Sequence, residues 1–132
     1  MASPDKRQIS RNRHFLQALR HAEDGIAHVA SRERNFRFHL FAAVVVIIAG
    51  LLLHLSLSSW CWIVAVVFAV LIAEMANTAV EELVDLLVGH HYSTGAKHIK
   101  DIAAGIVLLT SWLAVVVGLL VFVPALWKIL RR

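Results

Sequence analysis

The residues with chemistry to offer cluster in one short stretch, Glu74-x-x-Asn77-x-x-x-Glu81-x-x-x-Asp85. At about 100° per residue, Asn77, Glu81 and Asp85 fall at about 300°, 340° and 20° relative to Glu74, so all four share one narrow helical face. Glu82, at about 80°, lies off that face and reads as a solvated or structural charge. Like charges on one face repel, and three carboxylates with an amide invite a hard divalent cation, which takes oxygen ligands. Glu74 directly follows fourteen uncharged residues, 60–73. A carboxylate inside a membrane span costs about 2.5–3.5 kcal/mol on insertion scales and faces protein or water rather than lipid. The stripe therefore predicts a polar cavity. Taken alone, Glu81, Glu82 and Asp85 read equally well as solubilising residues beyond the bilayer; Glu74 resists that reading.

Two other places bring charge to the same side. Glu33 sits in Ser31-Arg32-Glu33-Arg34-Asn35-Phe36-Arg37, just before a first apolar stretch, and Lys100-Asp101 immediately precedes a third. Asp101 could also cap the helix that follows it. Acidic groups from separate segments, converging with a lysine, suit a magnesium-bound phosphate. No G-x-x-x-x-G-K-[ST], G-x-G-x-x-G or H-R-D pattern is present, and Ser93-Thr94-Gly95-Ala96-Lys97 is too short to be specific. His90, His91 and His98 match no zinc-site spacing and have no cysteine with them. His54 reads as a helix-terminating residue. Cys61 is alone in an apolar run, which leaves no disulfide framework.

The elements that must position these groups follow from composition. The chain has 132 residues, 59% hydrophobic and 17% charged, against about 45–50% and about 25% in soluble domains. Mean hydropathy is +0.72. A multidomain enzyme, a disordered tail and a disulfide-stapled module are excluded, and a single all-α integral membrane domain over 1–132 is predicted. Apolar stretches at 38–57, 60–88 and 102–123 each reach the roughly 17–25 residues of a span. A helix over 60–88 would measure about 43 Å at about 1.5 Å per residue. That exceeds a hydrocarbon core of about 30 Å, so its C-terminal turns should emerge beyond it.

Residues 1–37 form a basic arm without the pattern of a signal peptide. It holds eight of the thirteen Lys and Arg: Lys6, Arg7, Arg11, Arg13, Arg20, Arg32, Arg34 and Arg37. Phe15, Leu19, Ala22, Ile26 and Val29 recur at helical spacing, predicting an amphipathic helix in the membrane interface. The net charge of +4 then reads as attraction to anionic headgroups rather than to nucleic acid. Lys97 and Lys100 join the arm's side after two crossings, and Lys128, Arg131 and Arg132 stand opposite. Ten against three predicts a cytoplasmic N-terminus and an outside C-terminus. Trp60, Trp62 and Trp127 suit an outer aromatic belt.

With these motifs in view, a family becomes recognisable. Glu74-x-x-Asn77-Thr78-Ala79-x-Glu81-x-x-x-Asp85, followed by Ala96-Lys97-x-x-Lys100-Asp101-x-Ala103-Ala104-Gly105, resembles the prokaryotic diacylglycerol kinase and undecaprenol kinase family. Glu33-x-Asn35-Phe36-Arg37-x-His39 is closer to its Gram-positive undecaprenol kinase branch, and the match spans about residues 12–123. The resemblance implies a homotrimer of three-span protomers in the bacterial cytoplasmic membrane, with active sites shared between subunits. It implies transfer of the ATP γ-phosphoryl group to a lipid alcohol. Glu74 would be the general base, and Glu33 and Glu81 would hold Mg2+ on the nucleotide. Lys100 would contact phosphates, with Asn77, Asp85 and Asp101 supporting the ATP site. Arg13 and His14 fall where substrate contacts are implied, His14 replacing an arginine of the diacylglycerol kinase branch. The loop Gly89-His90-His91-Tyr92-Ser93-Thr94-Gly95 is one residue longer than usual and lacks the usual acid before Tyr92.

Two other classes compete on the residues alone. A small ion- or proton-conducting oligomer would line its pore with the carboxylate stripe. A purely structural membrane partner would tolerate substitution at Glu33, Lys100 and Asp101.

Overall fold

The computed structural model describes residues 15–89 and 91–131, and every regular element in them is an α-helix. These are α1, Phe15–Arg32; α2, Arg34–Leu52; α3, Leu57–Val88; and α4, Thr94–Leu130. Helices α2, α3 and α4 are each long and apolar enough to cross a membrane.

The helix ends follow from local chemistry. Helix α1 stops at Glu33, whose extended backbone (φ −88°, ψ 115°) breaks the run before α2. Arg37 Nη1 donates to the carbonyls of Ala30 (3.3 Å) and Ser31 (2.9 Å), groups that α1 leaves unpaired at its end. Helix α2 ends at Leu52, short of the expected 57, and the chain turns through His54 at φ 50°. There Leu55 N–H returns to Gly50 O at 3.1 Å, closing the turn. Ser56 caps α3 by accepting from Ser59 N at 3.3 Å, so α3 starts at 57 rather than 60. Gly89 closes α3 in the left-handed region (φ 58°), where a side chain would be strained.

Helix α4 corrects two expectations. Its cap is Ser93, accepting from Ala96 N at 3.4 Å, so Asp101 lies inside the helix and caps nothing. Its C-terminal end also continues through Pro124 to Leu130 instead of stopping there. Proline removes one backbone donor, a loss membrane helices absorb when other groups meet the freed carbonyl.

Packing centres on α3. Ile63, Val66, Val70 and Ala73 are buried along one of its faces, and Ala43 and Gly50 of α2 and Ala103 of α4 are buried as well. Ala103 is the only buried residue of α4. Along α1, Val29 is buried, whereas Phe15, Leu19 and Ile26 of the same stripe are exposed.

Gly50 of α2 lies directly against the Trp60 ring of α3. A Cβ there would lie 2.8 and 2.9 Å from the Trp60 ring and 3.1 Å from Leu55 Cδ1. Gly50→Val is therefore expected to destabilise the bundle by about 1–3 kcal/mol through overpacking. A lowered midpoint of thermal unfolding in detergent checks this; an unchanged midpoint would show that the contact yields.

Candidate functional site

The predicted stripe exists, and the structure divides it between two pockets. The first, of about 310 Å³, lies between α2, α3 and α4 and is lined by Asn35, His39, Glu74, Asn77, Glu81 and Ser111, among others. Glu74 is its deepest acid, with a side chain only 5% exposed, and His39 Nε2 stands 3.1 Å from Glu74 Oε1. Burial of an unpaired carboxylate is expensive, and an ion pair with an imidazole answers that cost. Thr78, one turn on, donates back to the Glu74 carbonyl at 3.1 Å inside the same helix.

Asn77 Nδ2 donates to Glu81 Oε1 at 2.9 Å, as i,i+4 neighbours on a helix can. Asn77 Oδ1 is buried without a partner. A buried acceptor left open is costly, and this one lies beside Glu81, where a donor on a ligand or water would satisfy it. Glu33 makes no cap bond to α2. Glu81 lines this pocket together with Glu74, whereas Glu33, at the break between α1 and α2, is not among the residues lining it.

The second pocket, of about 410 Å³, lies a turn further along α3 and is lined by Asp85, Lys100, Asp101, Lys97, His91 and Tyr92, among others. Lys100 Nζ donates to Asp85 Oδ1 at 2.6 Å across the α3–α4 connection. Lys97 and Asp101 form a looser pair at 3.5 Å, both exposed. Glu82, assigned off the stripe, points elsewhere and pairs with His28 of α1 at 2.8 Å.

Of the site residues expected from the sequence within the described range, Glu74, Asn77 and Glu81 line the first pocket and Asp85, Lys100 and Asp101 the second, while Glu33 lines neither. Arg13, His14 and His90 lie outside the described residues. Sequence reasoning gave no role to His39 or Ser111. His39 carried a signal: it is a titratable group opening an otherwise apolar span. Ser111 carried none, because a hydroxyl in an apolar helix can bond its own backbone.

A membrane bundle with acids gathered in a pocket of its spans has the makings of an enzyme working on a lipid rather than on a soluble substrate. Comparison with known proteins gives that class a family. The profile of the prokaryotic diacylglycerol kinases matches residues 20–122. An undecaprenol kinase of Bacillus subtilis is 40% identical over 112 residues, covering 85% of this chain and 90% of that protein. A diacylglycerol kinase of Synechocystis is 40% identical over 116 residues, covering 88% of this chain and 66% of that protein. The chain belongs to the prokaryotic diacylglycerol kinase family, and it is a membrane lipid kinase.

Proposed function

We propose that the chain transfers the γ-phosphoryl group of ATP to the hydroxyl of a membrane lipid, with undecaprenol ahead of diacylglycerol as acceptor. The observation that carries this reading is the position of Glu74. Its pocket adjoins a larger apolar cavity of about 620 Å³ between α2, α3 and α4, and Phe38, His39 and Ser111 line both. A lipid lying in the apolar cavity would bring its hydroxyl to Glu74, which takes the proton as general base. Undecaprenol is preferred because the segment around Glu33–His39 resembles that branch, and because His14 stands where the diacylglycerol kinase branch has a substrate-contacting arginine.

Glu33 and Glu81 hold Mg2+ in this reading, and Asn77, Asp85, Lys100 and Asp101 hold the nucleotide. Among the described residues no three His, Cys, Asp or Glu side chains form a metal cage. Mg2+ needs none, since it is bound by one or two carboxylates plus substrate phosphates and waters. Glu81 lines the pocket and is held through a single oxygen, and Glu33, which makes no cap bond at the α1–α2 break, would supply the second carboxylate. When bound, the ion would neutralise charge on the phosphoryl oxygens. Lys100 adds a cation from the protein, and its bond to Asp85 keeps it aimed into the pocket.

The assembly belongs to the same reading. The apolar window of α4 has no buried residue, leaving surface for neighbouring subunits of a homotrimer as well as for lipid. α1 lies in the interface, the N-terminus and the 89–101 connection are cytoplasmic, and the C-terminus is outside the bacterial cytoplasmic membrane.

Purified protein, labelled ATP and each lipid alcohol in turn provide the test. Label is expected in undecaprenyl phosphate, with less in phosphatidic acid, and none after chelation of divalent cations. Transfer to neither lipid, or transfer unaffected by chelation, overturns the reading or its metal requirement respectively.

His39 acts through Glu74 by holding its carboxylate toward the shared wall of the two cavities. His39→Ala is expected to lower kcat by up to about 10²-fold, the scale of a misplaced reacting group. The KM for ATP stays near wild type, because His39 stands against Glu74, while Lys100 and Asp85, which would meet the phosphates, line the other pocket. A change confined to that KM would instead place His39 on the nucleotide.

A further inference from the structure

The end of the bundle opposite Glu74 carries a second built cavity that phosphoryl transfer does not use. It measures about 480 Å³ and lies between the α2–α3 turn and the last turns of α4, with His54, Ser56, Ser59, Pro124 and Lys128 in its wall. Leu53, Leu120, Val121 and Ile129 complete an apolar side. We infer that this groove binds the headgroup of an anionic phospholipid, its phosphate at Lys128 and His54.

Charge is the first argument. All nine Asp and Glu of the chain lie outside 34–73 and 102–132, the stretches whose ends form this groove, so no acid of those stretches can answer Lys128. Among the described residues Lys128 makes no ion pair. One turn away, the Arg131 guanidinium sits 4.6 Å over the Trp127 ring, an amphipathic pairing suited to headgroup depth. An uncompensated cation at that depth calls for a lipid phosphate.

Hydrogen bonding is the second argument, and it is independent of charge. Ser56 Oγ lies 3.0 Å from both Ser58 Oγ and Ser59 Oγ. Three hydroxyls carry three donors and these two contacts use two; with Ser58 donating to Ser56 and Ser56 to Ser59, the O–H of Ser59, which lines the groove, is left for a phosphate oxygen. On the facing wall, Pro124 has no N–H, so the carbonyl of Leu120 loses its helical donor. That carbonyl can accept from a hydroxyl of the headgroup. One cation, one imidazole, one spare hydroxyl donor and one freed carbonyl match a phosphate ester bearing hydroxyls, as in phosphatidylglycerol.

The full-length protein in nanodiscs of mixed phosphatidylglycerol and phosphatidylcholine, released into native mass spectrometry, tests the assignment. Wild type is expected to retain phosphatidylglycerol over phosphatidylcholine by about tenfold, and Lys128→Gln should remove most of that preference. Lys128→Arg should keep it. His54→Asn should weaken it while keeping the turn, because Asn tolerates positive φ. Lys128→Gln should still transfer phosphate from ATP, which shows that it folds. Retention by Lys128→Gln equal to wild type overturns the proposal. So does loss on Arg20→Gln in α1, which puts the lipid elsewhere, or displacement by millimolar inorganic phosphate, which marks a free-anion site.

Discussion

Glu74→Gln is expected to abolish lipid phosphorylation while leaving nucleotide binding close to wild type. The substitution keeps the size of the side chain and its place beside His39, and removes only the ability to accept a proton. General-base catalysis contributes about 10²–10⁴-fold, so turnover should fall by that factor. Nucleotide affinity should hold because Glu74 is given no contact with the nucleotide, while Asp85 and Lys100 in the second pocket and Asn77 and Glu81 beside it are unchanged. Single-turnover transfer to lipid, paired with a fluorescent-nucleotide titration, checks both halves. Normal turnover in the variant would remove Glu74 from proton transfer. Loss of nucleotide binding would move it to the ATP site.

The second large effect is expected at Lys100. Its ammonium is held in the second pocket by a short bond, 2.6 Å to Asp85, and that bond joins α4 to α3. Lys100→Met removes a positive charge from where phosphate oxygens would lie and leaves Asp85 facing them unpaired. Loss of one such electrostatic contact lowers kcat by about 10²–10³-fold, and repulsion from the freed carboxylate should raise the KM for ATP as well. The double variant Lys100→Met, Asp85→Asn separates the two contributions. It is expected to recover the KM and not kcat, since it removes the repulsion without restoring the cation. Recovery of both would reduce Lys100 to a structural partner of Asp85.

The pairing of Lys100 with Asp85 could not be read along the chain. The two residues are fifteen positions apart in different helices, and the packing of α4 against α3 sets their distance. Asp101 illustrates the same limit. Its place before an apolar run suggested a cap, yet the cap is Ser93, and Asp101 pairs with Lys97 inside the helix. Polar residues can extend a helix beyond its membrane-spanning part, so hydropathy locates spans better than it locates helix ends.

By itself the sequence determined the class of protein and the existence of a polar face. Three apolar runs can satisfy their backbone in lipid only as helices, and a period of 3.6 residues puts Glu74, Asn77, Glu81 and Asp85 on one side whatever surrounds them. Tertiary structure decided how that face is used. Packing of α2 against α3 set His39 beside Glu74, and packing of α4 split the stripe into an acid pocket and a lysine-bearing one. Periodicity within one helix is a local property. Which side chain arrives from another helix depends on register and on the turns between them, and no spacing in the sequence encodes that.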